Sequence, residues 1–239
     1  MYSFDIDSLL RFSPPRMLCE HCYALLNDMD GGCPVCGVRY IPTDEFPTSA
    51  SYLAHKGLDI HFDDLIEHCR ALAQIARRTR ESLAAPQPFY LPMRALFAAL
   101  QTAERFVHFT TYGISAMLLG ALKLTAQRVD VRGVVSGVKT ENILRELTDY
   151  NDEAPRLDIR LFPAESQYIP HQKIVVIDGL LAFKGSANMT DFGWRKAAHG
   201  REVIEPVTDV AEVVDLHNRF FSPVWAHNAA PGKILMTAY

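Results

Sequence analysis

The sequence predicts an α/β fold, a mixed β-sheet sandwiched between helices, preceded by a small cysteine-bearing module. Three observations carry that expectation. Helical and strand periodicities alternate from residue 92 to residue 161, two apolar runs meet at a tight turn around residue 178, and four cysteines fall as two close pairs before residue 40. With 239 residues, 49% of them hydrophobic, the chain can bury one large core, or one large and one small.

Each element has its own reason. From about His61 to Ser82, Leu65, Cys69, Leu72 and Ile75 make one apolar helical stripe. The basic end of that helix, with Arg70, Arg77, Arg78 and Arg80, suits the negative C-terminal dipole; contact with a phosphate backbone is the sharper alternative. Pro92 can open a helix through Leu96, Phe97 and Leu100, and Arg105 to Thr111 alternates as a strand. Ser115 can cap a helix from Ala116 to Gln127, followed by a strand from Val129 to Val135. A helix is expected over Glu141 to Tyr150, and a strand where Leu157, Ile159 and Leu161 alternate with Asp158 and Arg160. Ile174 to Ile177 reads as a strand buried on both faces, Asp178-Gly179 as a two-residue hairpin turn, and Leu180 to Phe183 as the returning strand. Arg201 to Val207 is a further strand, and Val210 to about His227 a last helix.

Cys19-x-x-Cys22 and Cys33-x-x-Cys36 stand ten residues apart, with Gly31-Gly32 between them. Two such knuckles can offer four thiolates to one structural zinc; disulfide or redox pairs are the alternative, disfavoured in a reducing compartment. Four protein ligands leave no open position, so the metal would hold structure and take no part in chemistry. His21, inside the first pair, is expected at the surface. The boundaries that follow are a zinc-ribbon-like module over 1–45, a linker and helix over 46–85, a catalytic domain over 86–230 and a tail over 231–239. Separate cores are expected for the module and the domain.

The chemistry concentrates at the ends of the hairpin. His171 and Lys173 enter the first strand two residues apart and project to one side, and Ser186 and Asn188 leave the second strand at the same rim. An imidazole can act as nucleophile or general acid, the ammonium supplies positive charge, and the hydroxyl and amide can donate to oxygens that gain negative charge. Such a set suits a phosphodiester.

His171-x-Lys173, four residues, Asp178, then Gly185-Ser186-x-Asn188 and Glu202 resembles the motif of the phospholipase D superfamily, and the order of elements over 86–230 is similar to its catalytic domain. The chain looks most like the small bacterial endonucleases and phosphodiesterases with a single copy of the motif, since no other lysine here has a histidine two residues before it. The resemblance implies a homodimer with one composite site on its two-fold axis. It also implies a phosphohistidine on His171 of one subunit, with the second His171 as the acid and no catalytic metal. Lys173 and Asn188 would grip the phosphoryl oxygens with help from Ser186, and Glu202 would orient the imidazole. Asp178 belongs to the motif, but the hairpin turn alone accounts for an aspartate there. One departure is Gly200, where the family often has asparagine two positions before the glutamate.

A net charge of −4 argues against non-specific coating of nucleic acid. From His171 to Glu202, however, five basic residues (Lys173, Lys184, Arg195, Lys196, Arg201) face three acidic ones (Asp178, Asp191, Glu202). A polyanion fits that balance, and nucleic acid, DNA or RNA, is the first expectation, with the cysteine module as an added grip. Alternatives are a phospholipase D-type lipid hydrolase, with Phe192, Trp194, Phe220 and Phe221 at a lipid interface, and a non-catalytic nucleic-acid-binding scaffold. No apolar run is long enough for a membrane anchor, and Met1-Tyr2-Ser3-Phe4-Asp5 lacks a secretory layout, so a cytoplasmic protein is expected.

Overall fold

The computed structural model describes residues 13–85, 91–137, 143, 156–162 and 171–227. The helix expected over residues 141–150 lies outside them except for Ile143, as do the 86–88 boundary and the 231–239 tail. Two short antiparallel strands, β1 (Met17–Leu18) and β2 (Leu25–Leu26), are followed by helix α1 (Ser49–His55). Helices α2 (Leu65–Ala84), α3 (Pro92–Thr102), α4 (Ala116–Thr125), α5 (Asp191–Ala197), α6 (Val210–Phe220) and α7 (Ser222–His227) then surround six strands. These are β3 (Phe106–Thr111), β4 (Asp130–Val135), β5 (Leu157–Leu161), β6 (Lys173–Ile177), β7 (Leu181–Gly185) and β8 (Ile204–Val207).

The six strands form one mixed sheet in the order β5-β4-β3-β6-β7-β8. Parallel pairing of β3, β4 and β5 needs crossovers, which α4 supplies between β3 and β4, whereas β6, β7 and β8 join by antiparallel pairing. Side chains alternate between two cores. Val107, Phe109, Val131, Val175, Ile177 and Phe183 pack under helices that include α2, α3 and α4. Phe106, Val134, Ile174, Val176 and Ala182 face the opposite way, toward α6, α7 and the N-terminal module. Residues such as Phe109 and Val176, both fully buried, each contribute about 1.5–3 kcal/mol by leaving water. The continuous apolar run of β6 is thus explained, since both of its faces are covered.

Helix ends follow local chemistry. Asp64 caps α2 by accepting from the Glu67 N–H at 2.9 Å, and Asp209 caps α6 by accepting from the Glu212 N–H at 2.9 Å. The single helix expected from Val210 to His227 is two, α6 and α7, divided at Phe221. Pro223 lacks an amide hydrogen and its ring crowds the carbonyl four residues back, which breaks a continuous helix there.

The boundary expected at residue 45 is corrected by the packing. Leu53 of α1 lies in a cluster with Cys19, Cys22 and Cys33, so α1 belongs to the cysteine module. Cys69 and Leu72 of α2 lie in the main core, with the Cys69 thiol pushed up to about 11 by burial. Nor are the cores separate: Leu18 and Leu25 share a cluster with Phe106, Ile174 and Val176. The Asn218 side chain clamps β2, accepting from the Leu25 N–H at 2.8 Å and donating to the Leu25 carbonyl at 3.0 Å. Tyr23 sets its ring edge-on against Trp225, 5.7 Å between centroids, and the Arg132 guanidinium lies 4.1 Å from the Tyr23 ring centre. Among the described residues no helix is long and apolar enough to cross a membrane.

Candidate active site

Because β6 runs antiparallel to β3, with Thr110 opposite Ile174, its first residues sit beside the last residues of β3. Ligand sites of open α/β sheets gather at this carboxyl edge of the parallel strands. Register aligns Lys173 with Gly185 and Gly185 with Ile204, so His171, Ser186 and Glu202 all emerge at one rim. Ser186 is tied to the strand beside it: its N–H donates to the Val203 carbonyl at 3.0 Å, and its hydroxyl accepts from the Val203 N–H at 2.9 Å. The same hydroxyl donates to Glu202 Oε2 at 2.5 Å. Gly185 has no substitute here, because a Cβ would stand 2.0 Å from the Val203 carbonyl oxygen.

Lys173 is only 8% exposed, and its Nζ donates to the His171 carbonyl at 2.5 Å. Burial pushes its pKa down, and the Glu202 carboxylate pulls the other way. The His171 side chain is exposed, its ring 5.6 Å from that of Tyr112 at an angle of 59°. The Asn188 segment is held from the β3–α4 loop. Met189 donates its N–H to Thr111 Oγ1 at 3.0 Å, and Ser115 donates its own to the Met189 carbonyl at 3.0 Å. Asn188 Oδ1 is buried with no hydrogen-bond partner among the described residues, a polar end left over by the fold.

The expected role of Glu202 changes. Glu202 holds Ser186, and the His171 imidazole makes no hydrogen bond to another described residue, so the orienting bond expected from Glu202 is absent within this chain. Asp178 sits at the far end of β6, five residues and roughly 16 Å from Lys173. There it is 1% exposed in a left-handed turn (φ 55°). Its carboxylate accepts the backbone N–H groups of Glu104, Arg105 and Phe106 at 2.8–2.9 Å, with His68 Nε2 at 2.8 Å. Asp178, which belongs to the motif with the catalytic residues, here staples the entry of β3 to the hairpin turn, as the turn alone suggested. An Asp178→Asn chain puts an amide NH2 against those donors and is expected to lose about 2–4 kcal/mol, a fall in Tm of roughly 5–15 °C. Turnover per folded molecule should persist; lost turnover at an unchanged Tm would return Asp178 to the chemistry.

Gly200, the departure from the motif, adopts φ 68°, and the N–H groups of Gly200 and Arg201 close the end of α5 on the carbonyls of Ala197 and Lys196. Glycine and asparagine are the residues that enter this left-handed conformation most readily, so the position asks for a backbone shape that both can meet.

Several groups escaped the sequence reading. His68 is buried on Asp178 and Glu104. His108 and His217 form a fully buried pair, Nδ1 to Nε2 2.9 Å, with both pKa values lowered by burial. Asp178 lies 110 residues from His68 and His217 lies 109 from His108, so no local pattern could find either pair. Tyr112 had a signal, its place directly after a strand end. Of the basic residues near the site, Lys184 is engaged by Glu212 at 2.7 Å and Glu205 at 3.4 Å, whereas Arg195 and Arg201 are exposed. Trp194 and Phe221 are core; Phe192 is 63% exposed, with Lys196 Nζ 4.3 Å from its ring centre.

The four cysteine Sγ atoms lie within 4.8 Å of one another, Cys19 to Cys36 at 3.7 Å and Cys22 to Cys33 at 3.6 Å. A tetrahedral thiolate site with bonds of about 2.3 Å spaces its sulfurs about 3.8 Å apart, so this cluster can hold a metal ion. It stands at the Asp178 end of the sheet, with Leu25 and Pro15 flanking Gly179, away from His171.

No family model matches the chain, and no curated protein matches it. Among solved structures it is similar to NucT from Helicobacter pylori, at 19% identity over 60% of this chain and 87% of that one, with a TM-score of 0.45. Nuc from Salmonella typhimurium, a phospholipase D family member, is 21% identical over 54% of this chain and 86% of its own, with a TM-score of 0.41. TrmBL2, an archaeal chromatin protein, matches at 16% identity over 65% and 61%, with a TM-score of 0.37. What this site can do is set by its own residues.

Proposed function

We propose that this chain is a phosphodiesterase, and specifically a nuclease, that works through a phosphohistidine in a site completed by a second copy of itself. The observation that carries the reading is the register of β6, β7 and β8, which gathers an exposed imidazole, a buried ammonium, a hydroxyl and a carboxylate at one rim. His171 attacks phosphorus while the P–O bond to the leaving group breaks, and the partner subunit's His171 gives that oxygen a proton. The now neutral second imidazole takes a proton from water, the hydroxide attacks phosphorus, and the P–N bond breaks to return His171. Lys173, short of water and facing its neighbour's carbonyl, offers its charge to the phosphoryl oxygens, and Asn188 offers its amide. Ser186, held by Glu202 and Val203, fixes the rim between them.

Nucleic acid is favoured over lipid by the exposed Arg195 and Arg201, and two of the four aromatics a lipid hydrolase would use, Trp194 and Phe221, are core. The cysteine cluster is read as structural zinc, with Cys19, Cys22, Cys33 and Cys36 as a closed ligand set. Zinc there would supply fold stability to the sheet's other end. The test is a panel of single- and double-stranded DNA and RNA, anionic phospholipid vesicles and bis-(p-nitrophenyl) phosphate, each with and without a brief exposure to EDTA. Nucleic acid should be cleaved, with cleavage surviving the chelator and needing no magnesium. Activity lost on brief chelation and restored by magnesium would contradict the mechanism. Lipid turnover would favour the hydrolase, and binding without any turnover the scaffold.

A further inference from the structure

Tyr112 stands one residue beyond β3, at the rim that carries His171. Its ring is half-buried, and its hydroxyl has no hydrogen-bond partner among the described residues. One side of the ring lies on the backbone of Gly137: a Cβ there would come within 2.4 Å of the ring's Cζ and 2.7 Å of Cε2. In the core, Phe109 lies in the same way over Gly133, its register partner, where a Cβ would come within 2.1 Å of the ring. The second arrangement is ordinary sheet packing, an aromatic covering a glycine that leaves its strand without a side chain. Tyr112 repeats that seat at the open edge, where the covered neighbour beyond it is not a core residue but the imidazole of His171, 5.6 Å away.

An aromatic ring fixed on one side by backbone and placed beside a nucleophile is a stacking surface for whatever group flanks the bond being cut. We propose that Tyr112 stacks on the nucleobase next to the scissile phosphate, and that the site therefore takes an unpaired strand. A base within a duplex has both faces covered by its neighbours, so only an unpaired or flipped nucleotide can give one face to Tyr112. Stacking on the ring, with no hydroxyl contact, makes the selection tolerant of base identity. The inference rests on the nuclease reading above and names the strand that reading leaves open.

The test measures binding of fluorescein-labelled single-stranded oligonucleotides by anisotropy in the His171→Ala chain, which isolates affinity from turnover. Tyr112→Ala should weaken binding about 10-fold, within the range of single base-stacking contacts, while Tyr112→Phe and Tyr112→Trp keep it. Gly137→Val, which displaces the ring without removing it, should reproduce the Tyr112→Ala loss. With an abasic position at the cleaved bond, Tyr112→Ala should change nothing further. Equal losses on intact and abasic strands, or no loss on either, would overturn the stacking role while leaving the nuclease reading intact, because the wild-type chain would still cleave nucleic acid. A wild-type chain that neither binds nor cleaves any nucleic acid would overturn the nuclease reading, and this inference with it.

Discussion

Mixing equal amounts of wild-type and His171→Ala chains, with time to exchange partners, should bring activity to about a quarter of that given by the same total of wild-type chain. A composite site needs a nucleophile from one subunit and an acid from the other, so only the wild-type pairs remain active, and random pairing makes those one in four. The His171→Ala homodimer itself should lose roughly 10⁴-fold or more in kcat, the scale seen when a nucleophile is removed from a concerted set. Lys173 and Asn188 would still hold phosphate, so binding should outlast turnover. Half activity in the mixture would mean that each chain works alone. The acid would then have to be sought within the chain, and exposed His199, three residues before Glu202, would be the first residue to change.

Replacing Cys33 with serine should destabilise the whole sheet, although the spacing of the cysteines suggested a module with a core of its own. Leu18 and Leu25 of the cysteine module lie in the same cluster as Ile174 and Val176 of β6, and Asn218 pairs with both backbone groups of Leu25 in β2. A structural zinc site contributes on the order of 10 kcal/mol or more, comparable with the entire stability of a typical domain at about 5–15 kcal/mol. Prolonged chelation or Cys33→Ser is therefore expected to remove hydrogen-exchange protection from β6 and β7 as well as from β1 and β2. Elemental analysis of protein prepared without chelators should find about one zinc per chain. Protection retained in β6 and β7 after loss of the metal would restore the picture of two independent cores.

Much of this arrangement was legible before the structure. The four apolar residues from Ile174 to Ile177 could only be a strand covered on both sides, and Asp178-Gly179 could only be its turn, which brought His171, Lys173 and Ser186 to one rim. Glu202 reached the rim too, but its partner depended on the pairing of β7 with β8, a relation between strands that no local pattern carries. Asp178 belongs to the motif in sequence, yet the length of a strand separates it from Lys173, in keeping with the hairpin turn that alone accounted for it. Buried histidines were missed for a related reason: a polar residue reads as solvated until its partner is known, and Asp178 for His68 or His217 for His108 comes from a distant element. The break at Phe221 was written in Ser222-Pro223 and was overridden by the longer helical period.

The most direct measurement is to trap the covalent intermediate. A phosphodiester labelled in its phosphoryl group, mixed with excess enzyme and quenched in denaturing base within the first turnover, should leave label on the protein. Peptide mapping should place it on His171, with the acid lability and base stability of a phosphoramidate, and His171→Ala should carry none. Label absent from a chain that turns substrate over under the same conditions, or found on another residue, would contradict the account.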